Sequence, residues 1–118
     1  IGDEPQTSLA EVLNAVYHVI QERRVHPVEG SYTNYLFDKG QDKILKKVGE
    51  EAAETIIASK NMEKSDILYE MGDLWYHCLV LLAFHNIVPD HLLVELKTRG
   101  GGGSYHQFTG KDGVRPDV

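Results

Sequence analysis

Apolar residues recur at helical spacing near the start of the chain. Ser8 and Glu11 stand three residues apart, the spacing of a capping box at the start of a helix. The apolar positions that follow repeat at i, i+3, i+4, i+7 and i+11: Leu9, Val12, Leu13, Val16 and Ile20. The pattern predicts an amphipathic helix over residues 8–24, ended by the break at Pro27 and Gly30.

Helical composition resumes at Thr33 and continues to Lys60. Gly40 is expected to divide this stretch into a short helix and a long one, since glycine weakens a helix interior. The apolar residues are predicted to form one broad face: Leu36, Phe37, Ile44, Leu45, Val48, Ala52 and Ile56.

A further helix is predicted to begin near Ser65 or Asp66, either of which could cap it, and to reach Asn86. Between Ile67 and Phe84 apolar residues occupy nearly every face. Such a helix should be surrounded by others, and one small chain can only partly surround it, so a homodimer is expected.

Pro89 and Gly100 mark the first turn and the end of a last helix. The chain shows no persuasive strand alternation, so the predicted fold is an all-α bundle of four to five helices. Its domain would cover residues 1–99, followed by a flexible glycine-rich tail over residues 100–118.

Composition narrows the class of partner. A net charge of -6 over 118 residues argues against a nucleic-acid surface. The apolar run at residues 74–84 is too short to span a membrane. Cys78 is the only cysteine and is predicted to lie in the core, and no signal-like segment opens the sequence, so a cytoplasmic location is expected.

Acidic residues cluster on two of the predicted helices. Glu50, Glu51 and Glu54 can project together from the first, and Glu70 and Asp73 repeat the i, i+3 spacing on the second. If the two helices pack antiparallel, the clusters face each other. Carboxylates gathered in this way repel one another unless a hard cation lies among them, which favours Mg²⁺, with Mn²⁺ as a substitute.

Two plainer interpretations compete with a metal site. The first cluster could be a solvated face whose glutamates pair with Lys46 and Lys47, and buried carboxylates of the second could pair with lysines structurally. Glu70, Asp73 and His77 are the strongly polar residues of an otherwise apolar helix, which favours the metal. The lysines ahead of the first cluster would then attract phosphate groups: Lys39, Lys43, Lys46 and Lys47.

The acidic pattern resembles that of the all-α nucleoside triphosphate pyrophosphohydrolases of the MazG type. Within that superfamily three blocks, at residues 31–40, 44–54 and 70–77, look like the phosphoribosyl-ATP pyrophosphatases of histidine biosynthesis. They read SYTNYLFDKG, ILKKVGEEAAE and EMGDLWYH. The resemblance covers residues 8–99, and the three blocks in order are more specific than the acidic motif alone.

This resemblance implies a homodimeric, Mg²⁺-dependent enzyme that hydrolyses 1-(5-phosphoribosyl)-ATP to 1-(5-phosphoribosyl)-AMP and pyrophosphate. Some relatives carry a cyclohydrolase domain first, and none precedes Leu9 in this sequence, so the pyrophosphatase step alone is expected. Carried over by position, the metal ligands are Glu51, Glu54, Glu70 and Asp73, Glu50 would orient the attacking water, and the phosphate contacts are Lys43, Lys46 and Lys47.

Two other functions remain open on the sequence. One is a pyrophosphohydrolase of free or noncanonical nucleoside triphosphates, which would use the same carboxylates. The other is a non-catalytic helical dimer whose acidic stripe pairs with lysines.

Overall fold

Five helices make up the part of the chain that the structure, a computed structural model, describes, residues 7–100. This confirms the predicted all-α class. The expected tail at residues 100–118 lies, apart from Gly100, outside the described residues. The helices are α1 Leu9–Val25, α2 Tyr32–Lys39, α3 Gln41–Asn61, α4 Lys64–Phe84 and α5 Pro89–Gly100.

Side-chain caps and one glycine set several helix boundaries. The hydroxyl of Ser8 accepts a hydrogen bond from the backbone N–H of Glu11, as the capping box predicted, and Ser31 caps α2 in the same way. Gly40 separates α2 from α3 at φ 92°, a conformation that favours glycine. The predicted cap of α4 was wrong, because α4 begins at Lys64 with Glu63 as its N-cap residue, which places Ser65 inside the first turn.

Helices α3 and α4 are each 21 residues long and form an antiparallel hairpin. Met62 turns the chain between them in the left-handed conformation, at φ 62°. Because the connection is so short, the middle of α3 faces the first half of α4. This register brings the two acidic clusters together.

The core lies where α1, α2 and α3 meet the second half of α4. Its fully buried side chains include Ile20, Leu36, Ile44 and Val80. The apolar face predicted on α3 is only partly covered in this chain, since Ile44 is buried whereas Leu45 and Ile56 are 44% and 64% exposed. Ile56 lies about 120° around the helix axis from Ile44, so this edge of the face does not reach the core.

Helix α4 keeps much of its apolar surface exposed. Leu68 is 74% exposed and Trp75 is 46% exposed. Within residues 7–100, α4 is the one helix long and apolar enough to cross a membrane, a test that core helices of soluble proteins also pass. Cys78, predicted in the core, is only partly buried on the same helix.

Candidate active site

Three carboxylates meet where α3 crosses α4. Oxygen atoms of Glu51, Glu70 and Asp73 all lie within 4.8 Å of one another. Glu51 comes from the middle of α3, and the other two lie one turn apart near the start of α4. The structure therefore brings together three of the four predicted metal ligands, and Glu54 lies against Glu70 as the fourth.

The cluster is poorly supplied with compensating charge. Glu51 is only 5% exposed, and one oxygen of its carboxylate, like one oxygen of Glu70, is buried without a hydrogen-bond partner. Burial, and then the hydrogen bond and negative charge of Glu54, raise the pKa of Glu70 from its ordinary 4.5 to about 7. Glu70 thus retains a proton at neutral pH for much of the time in the metal-free protein.

A hard divalent cation fits this arrangement. The donors are all carboxylate oxygens, which Mg²⁺ and Mn²⁺ prefer, and buried oxygens without partners are the atoms that a cation would satisfy. Structural pairing explains the cluster less well. Lys47 approaches Glu51 at 3.7 Å, but it reaches one oxygen and leaves the other without a partner.

Glu50 and two of the predicted phosphate-binding lysines form a separate ion-pair group. The Glu50 carboxylate lies 3.3 Å from Lys47 and 4.0 Å from Lys46, and all three side chains are partly exposed. Glu50 therefore lies beside the carboxylate cluster rather than within it. Lys43 points elsewhere, toward the ring of Tyr35 at 5.9 Å.

His77 faces α2 and is not among the clustered carboxylates, although it shares their stripe of α4. Its Nδ1 lies 2.7 Å from the backbone carbonyl oxygen of Asp73 and its Nε2 lies 2.8 Å from the hydroxyl of Tyr32. A carbonyl oxygen can only accept, so Nδ1 carries the proton of the neutral ring and Nε2 accepts from Tyr32. Burial raises the pKa of Tyr32, which keeps this donor protonated.

Tyr32 is a residue of this site that the spacing of the acidic clusters could not reveal. Its neighbour Thr33 is buried and hydrogen-bonded to the hydroxyl of Tyr76. These two contacts join α2 to α4 directly beside Asp73. The only signal for Tyr32 in the sequence was its place in the block at residues 31–40.

Comparison with known proteins identifies the family to which the chain belongs. The sequence profile described as "Phosphoribosyl-ATP pyrophosphohydrolase" matches residues 13–100, which include every helix of the site. The chain belongs to this family. The match confirms the resemblance drawn from the three sequence blocks.

Individual relatives are similar over most of the described chain. A phosphoribosyl-ATP pyrophosphatase of Bacillus mycoides is 52% identical over 93 residues, which cover 79% of this chain and 87% of the relative. One of Listeria monocytogenes is 58% identical, covering 76% of this chain and 86% of the relative. A histidine biosynthesis bifunctional protein HisIE of Caldanaerobacter subterraneus is 56% identical over 82% of this chain, but the match spans only 47% of that relative.

Proposed function

We propose that this chain hydrolyses 1-(5-phosphoribosyl)-ATP to 1-(5-phosphoribosyl)-AMP and pyrophosphate, a step of histidine biosynthesis. The observation that carries the proposal is the cluster of Glu51, Glu70 and Asp73, in which buried carboxylate oxygens lack hydrogen-bond partners. The family to which the chain belongs is described by the same activity. The chain would act in the cytoplasm, with neither nucleic acid nor membrane as a partner. Its net charge of -6 disfavours binding to these anionic partners.

Mg²⁺, or Mn²⁺ in its place, would be held by Glu51, Glu70 and Asp73, with Glu54 as a fourth carboxylate. When bound, such an ion neutralises phosphate charge and lowers the pKa of a bound water. Helix α3 fixes the backbone of Glu51, and α4 fixes the backbones of Glu70 and Asp73. Glu70 must lose its proton to take part, so ion binding and its deprotonation are coupled.

The neighbouring charges would bind and orient the triphosphate. Lys47 lies between Glu50 and Glu51 and can turn to a phosphate oxygen while staying close to the carboxylates. Lys46 is more exposed and would add positive potential at the rim. Glu50, held by both lysines, is placed to accept a hydrogen bond from a water beside the cluster, the orienting role that the resemblance implies.

Tyr32 and His77 would keep the cluster in position. The Tyr32 hydroxyl donates to His77, and His77 donates to the backbone of Asp73, so α2 is tied to the turn of α4 that carries a ligand. The chain thereby limits rotation of α4 at this point. Such fixed ligand positions lower the cost of arranging the site for reaction.

A homodimer is part of the proposal. Three exposed apolar residues of α4 follow a 3-4 spacing, Leu68, Met71 and Trp75, and the partly buried Cys78 continues it. Leu45, Ala52 and Ile56 form a comparable stripe on α3. The spacing is that of helices packed in a bundle, so two hairpins related by a two-fold axis could cover these stripes and form four packed helices.

A pyrophosphate-release assay tests the activity. Wild-type protein with Mg²⁺ should release pyrophosphate from phosphoribosyl-ATP at a higher kcat/KM than from any member of a panel of free and noncanonical triphosphates. Glu54→Gln and Asp73→Asn should abolish release while circular dichroism shows unchanged helix content. Asp66→Asn, a matched change on the exposed first turn of α4, should retain it.

The alternatives predict different results. A preference for a free triphosphate over phosphoribosyl-ATP would replace the proposed substrate with a nucleotide-pool substrate. Full turnover in Asp73→Asn would contradict the assignment of the site. If calorimetry with Mg²⁺ and a nonhydrolysable triphosphate showed no binding, a structural role for the acidic stripe would stand instead.

A further inference from the structure

Two lysines lie over a tyrosine ring, apart from the carboxylate cluster. The ammonium groups of Lys39 and Lys43 are 5.8 and 5.9 Å from the centroid of the Tyr35 ring. No carboxylate among residues 7–100 lies within ion-pair distance of either one. By contrast, Lys46 and Lys47 are both paired with Glu50. Within the described residues, Lys39 and Lys43 are therefore not held in ion pairs, unlike Lys46 and Lys47.

Within α3, Lys43 lies farther from Glu51 than Lys46 and Lys47 do. Lys43 precedes Glu51 by eight residues of one helix, which places their backbones about 12 Å apart along the axis. Lys46 and Lys47 are paired with Glu50 beside the carboxylates, whereas Lys39 and Lys43 lie over the Tyr35 ring. An anion bound over Tyr35 can therefore be a second phosphate group of the ligand, apart from the triphosphate.

Stacked aromatic rings connect the two places. The Tyr32 hydroxyl is 2.8 Å from His77, beside the cluster, and the Tyr32 ring stacks on Tyr35 with centroids 6.0 Å apart and an angle of 24°. Both rings are more than 40% exposed, so surface remains for a planar ligand. A purine could stack on the exposed rings of Tyr32 and Tyr35, since stacking on tyrosine needs no particular base.

A cavity of about 610 Å³ opens beside the rings. Its other lining residues include Glu29 and Asp38, whose carboxylates would accept hydrogen bonds from sugar hydroxyls and repel phosphate. The wall is held in place by Asn34, which accepts from the backbone N–H of Val28 at 2.8 Å and donates to the carbonyl of Arg23 at 2.7 Å. A phosphate group of the same ligand would therefore bind at Lys39 and Lys43 rather than at these carboxylates.

We propose that Lys39 and Lys43 bind the 5-phosphate of the phosphoribosyl group, with the adenine against Tyr32 and Tyr35 and the triphosphate at the carboxylates. This rests on the proposed function and extends it to substrate selection. The phosphoribosyl group is the part that distinguishes phosphoribosyl-ATP from ATP. The two lysines would then be specificity residues, and they would not take part in the bond cleavage.

Steady-state kinetics of Lys39→Gln/Lys43→Gln provides the test. KM for phosphoribosyl-ATP should rise about a hundredfold or more, from the loss of two charge-assisted hydrogen bonds, with kcat nearly unchanged. The affinity for inorganic triphosphate with Mg²⁺, measured by calorimetry, should not change. Lys60→Gln/Lys64→Gln removes the same charge at the distant turn between α3 and α4 and should leave KM as in the wild type.

Binding of phosphoribosyl-AMP separates this proposal from the proposed reaction. Even if the wild type does not turn over phosphoribosyl-ATP, phosphoribosyl-AMP should bind more weakly to Lys39→Gln/Lys43→Gln than to Lys60→Gln/Lys64→Gln. Equal binding to both variants would overturn the subsite. It would also be overturned if the affinity for inorganic triphosphate fell by the same factor as that for phosphoribosyl-ATP, because the lysines would then serve the triphosphate.

Discussion

Asp73→Asn should make the metal-free protein more stable and the metal-loaded protein less stable than the wild type. Carboxylate oxygens of Asp73 and Glu51 lie within 4.8 Å of each other, and Lys47 reaches one oxygen of Glu51 while the other is buried without a hydrogen-bond partner. Neutralising Asp73 removes the repulsion between the two carboxylates but also removes a ligand. The two effects have opposite signs, and the presence of Mg²⁺ selects between them.

The magnitude follows from the separation of the charges. The clustered oxygens lie at most 4.8 Å apart, and at that separation, with an effective dielectric constant of about 20, two like charges repel by about 3.5 kcal/mol. Asp73 is partly exposed, so screening and relaxation reduce this limit, and we expect a gain of about 1–2 kcal/mol in the free energy of unfolding without metal. With Mg²⁺ at about 100 times its dissociation constant, the wild type gains about 2.7 kcal/mol by mass action, most of which the variant loses.

Urea denaturation followed by circular dichroism measures both effects, at one protein concentration because of the expected dimer. Each protein is unfolded in EDTA and again in excess Mg²⁺. Asp66→Asn is the matched control: its carboxylate lies in the exposed first turn of α4, where a negative charge is mildly stabilising, so it should lose a few tenths of a kcal/mol in both conditions.

One result would refute the reasoning. If Asp73→Asn is less stable than the wild type in EDTA, its carboxylate is stabilised by a partner in the metal-free protein. The acidic stripe would then be a set of structural ion pairs. That outcome would also remove the main support for a metal site.

Three further predictions concern protonation, assembly and positioning. The pKa of Glu70 is about 7 in the folded protein and 4.5 ordinarily, so its contribution to metal-free stability is complete below about pH 4.5 and is lost as the pH rises through 7. The affinity for Mg²⁺ should rise over the same pH range. Calorimetry at pH 6 and 8 checks this, and Glu70→Gln should show no such rise. Leu68→Glu and Trp75→Glu should shift sedimentation from two chain masses toward one at micromolar concentration, and a wild type that already sediments as one chain would contradict the dimer. Tyr32→Phe deletes the hydrogen bond to His77 and should cost about 1 kcal/mol in unfolding free energy and reduce kcat more than it raises KM; an unchanged kcat would leave the contact purely structural.

The acidic site was predictable because helices have a fixed period. Once α3 and α4 were recognised and joined by a short turn, Glu51, Glu70 and Asp73 had to face one another. The side of α3 that each apolar residue faces was less predictable. Ile44 and Leu45 are adjacent in sequence yet differ from 0% to 44% exposure, because the pattern alone does not say which stripe contacts this chain and which remains on its surface.

Contacts between α2 and the hairpin could not be derived from periodicity. The partner of Tyr32 lies 45 residues away, and the lysine run appeared uniform in sequence although its members point to different groups. Lys43 and Lys47 are one helical turn apart, but the Lys43 ammonium lies over the Tyr35 ring and the Lys47 ammonium pairs with Glu50. Side-chain direction at that level depends on tertiary neighbours, which α2 supplies.

Helix α4 carries both the clustered carboxylates and the proposed dimer surface. Trp75 lies about 140° around the axis from Glu70, so the apolar stripe and the acidic stripe occupy different sides of one helix. Packing of a second copy on the apolar stripe would restrain the tilt of α4 without covering the carboxylates. The carboxylates of Glu70 and Asp73 repel one another until an ion binds, so α4 must be held in place against this repulsion. Restraint by a second copy would be a physical reason for an enzyme of this size to dimerise through α4. A monomeric variant should therefore lose Mg²⁺ affinity as well as stability, although its ligands are intact.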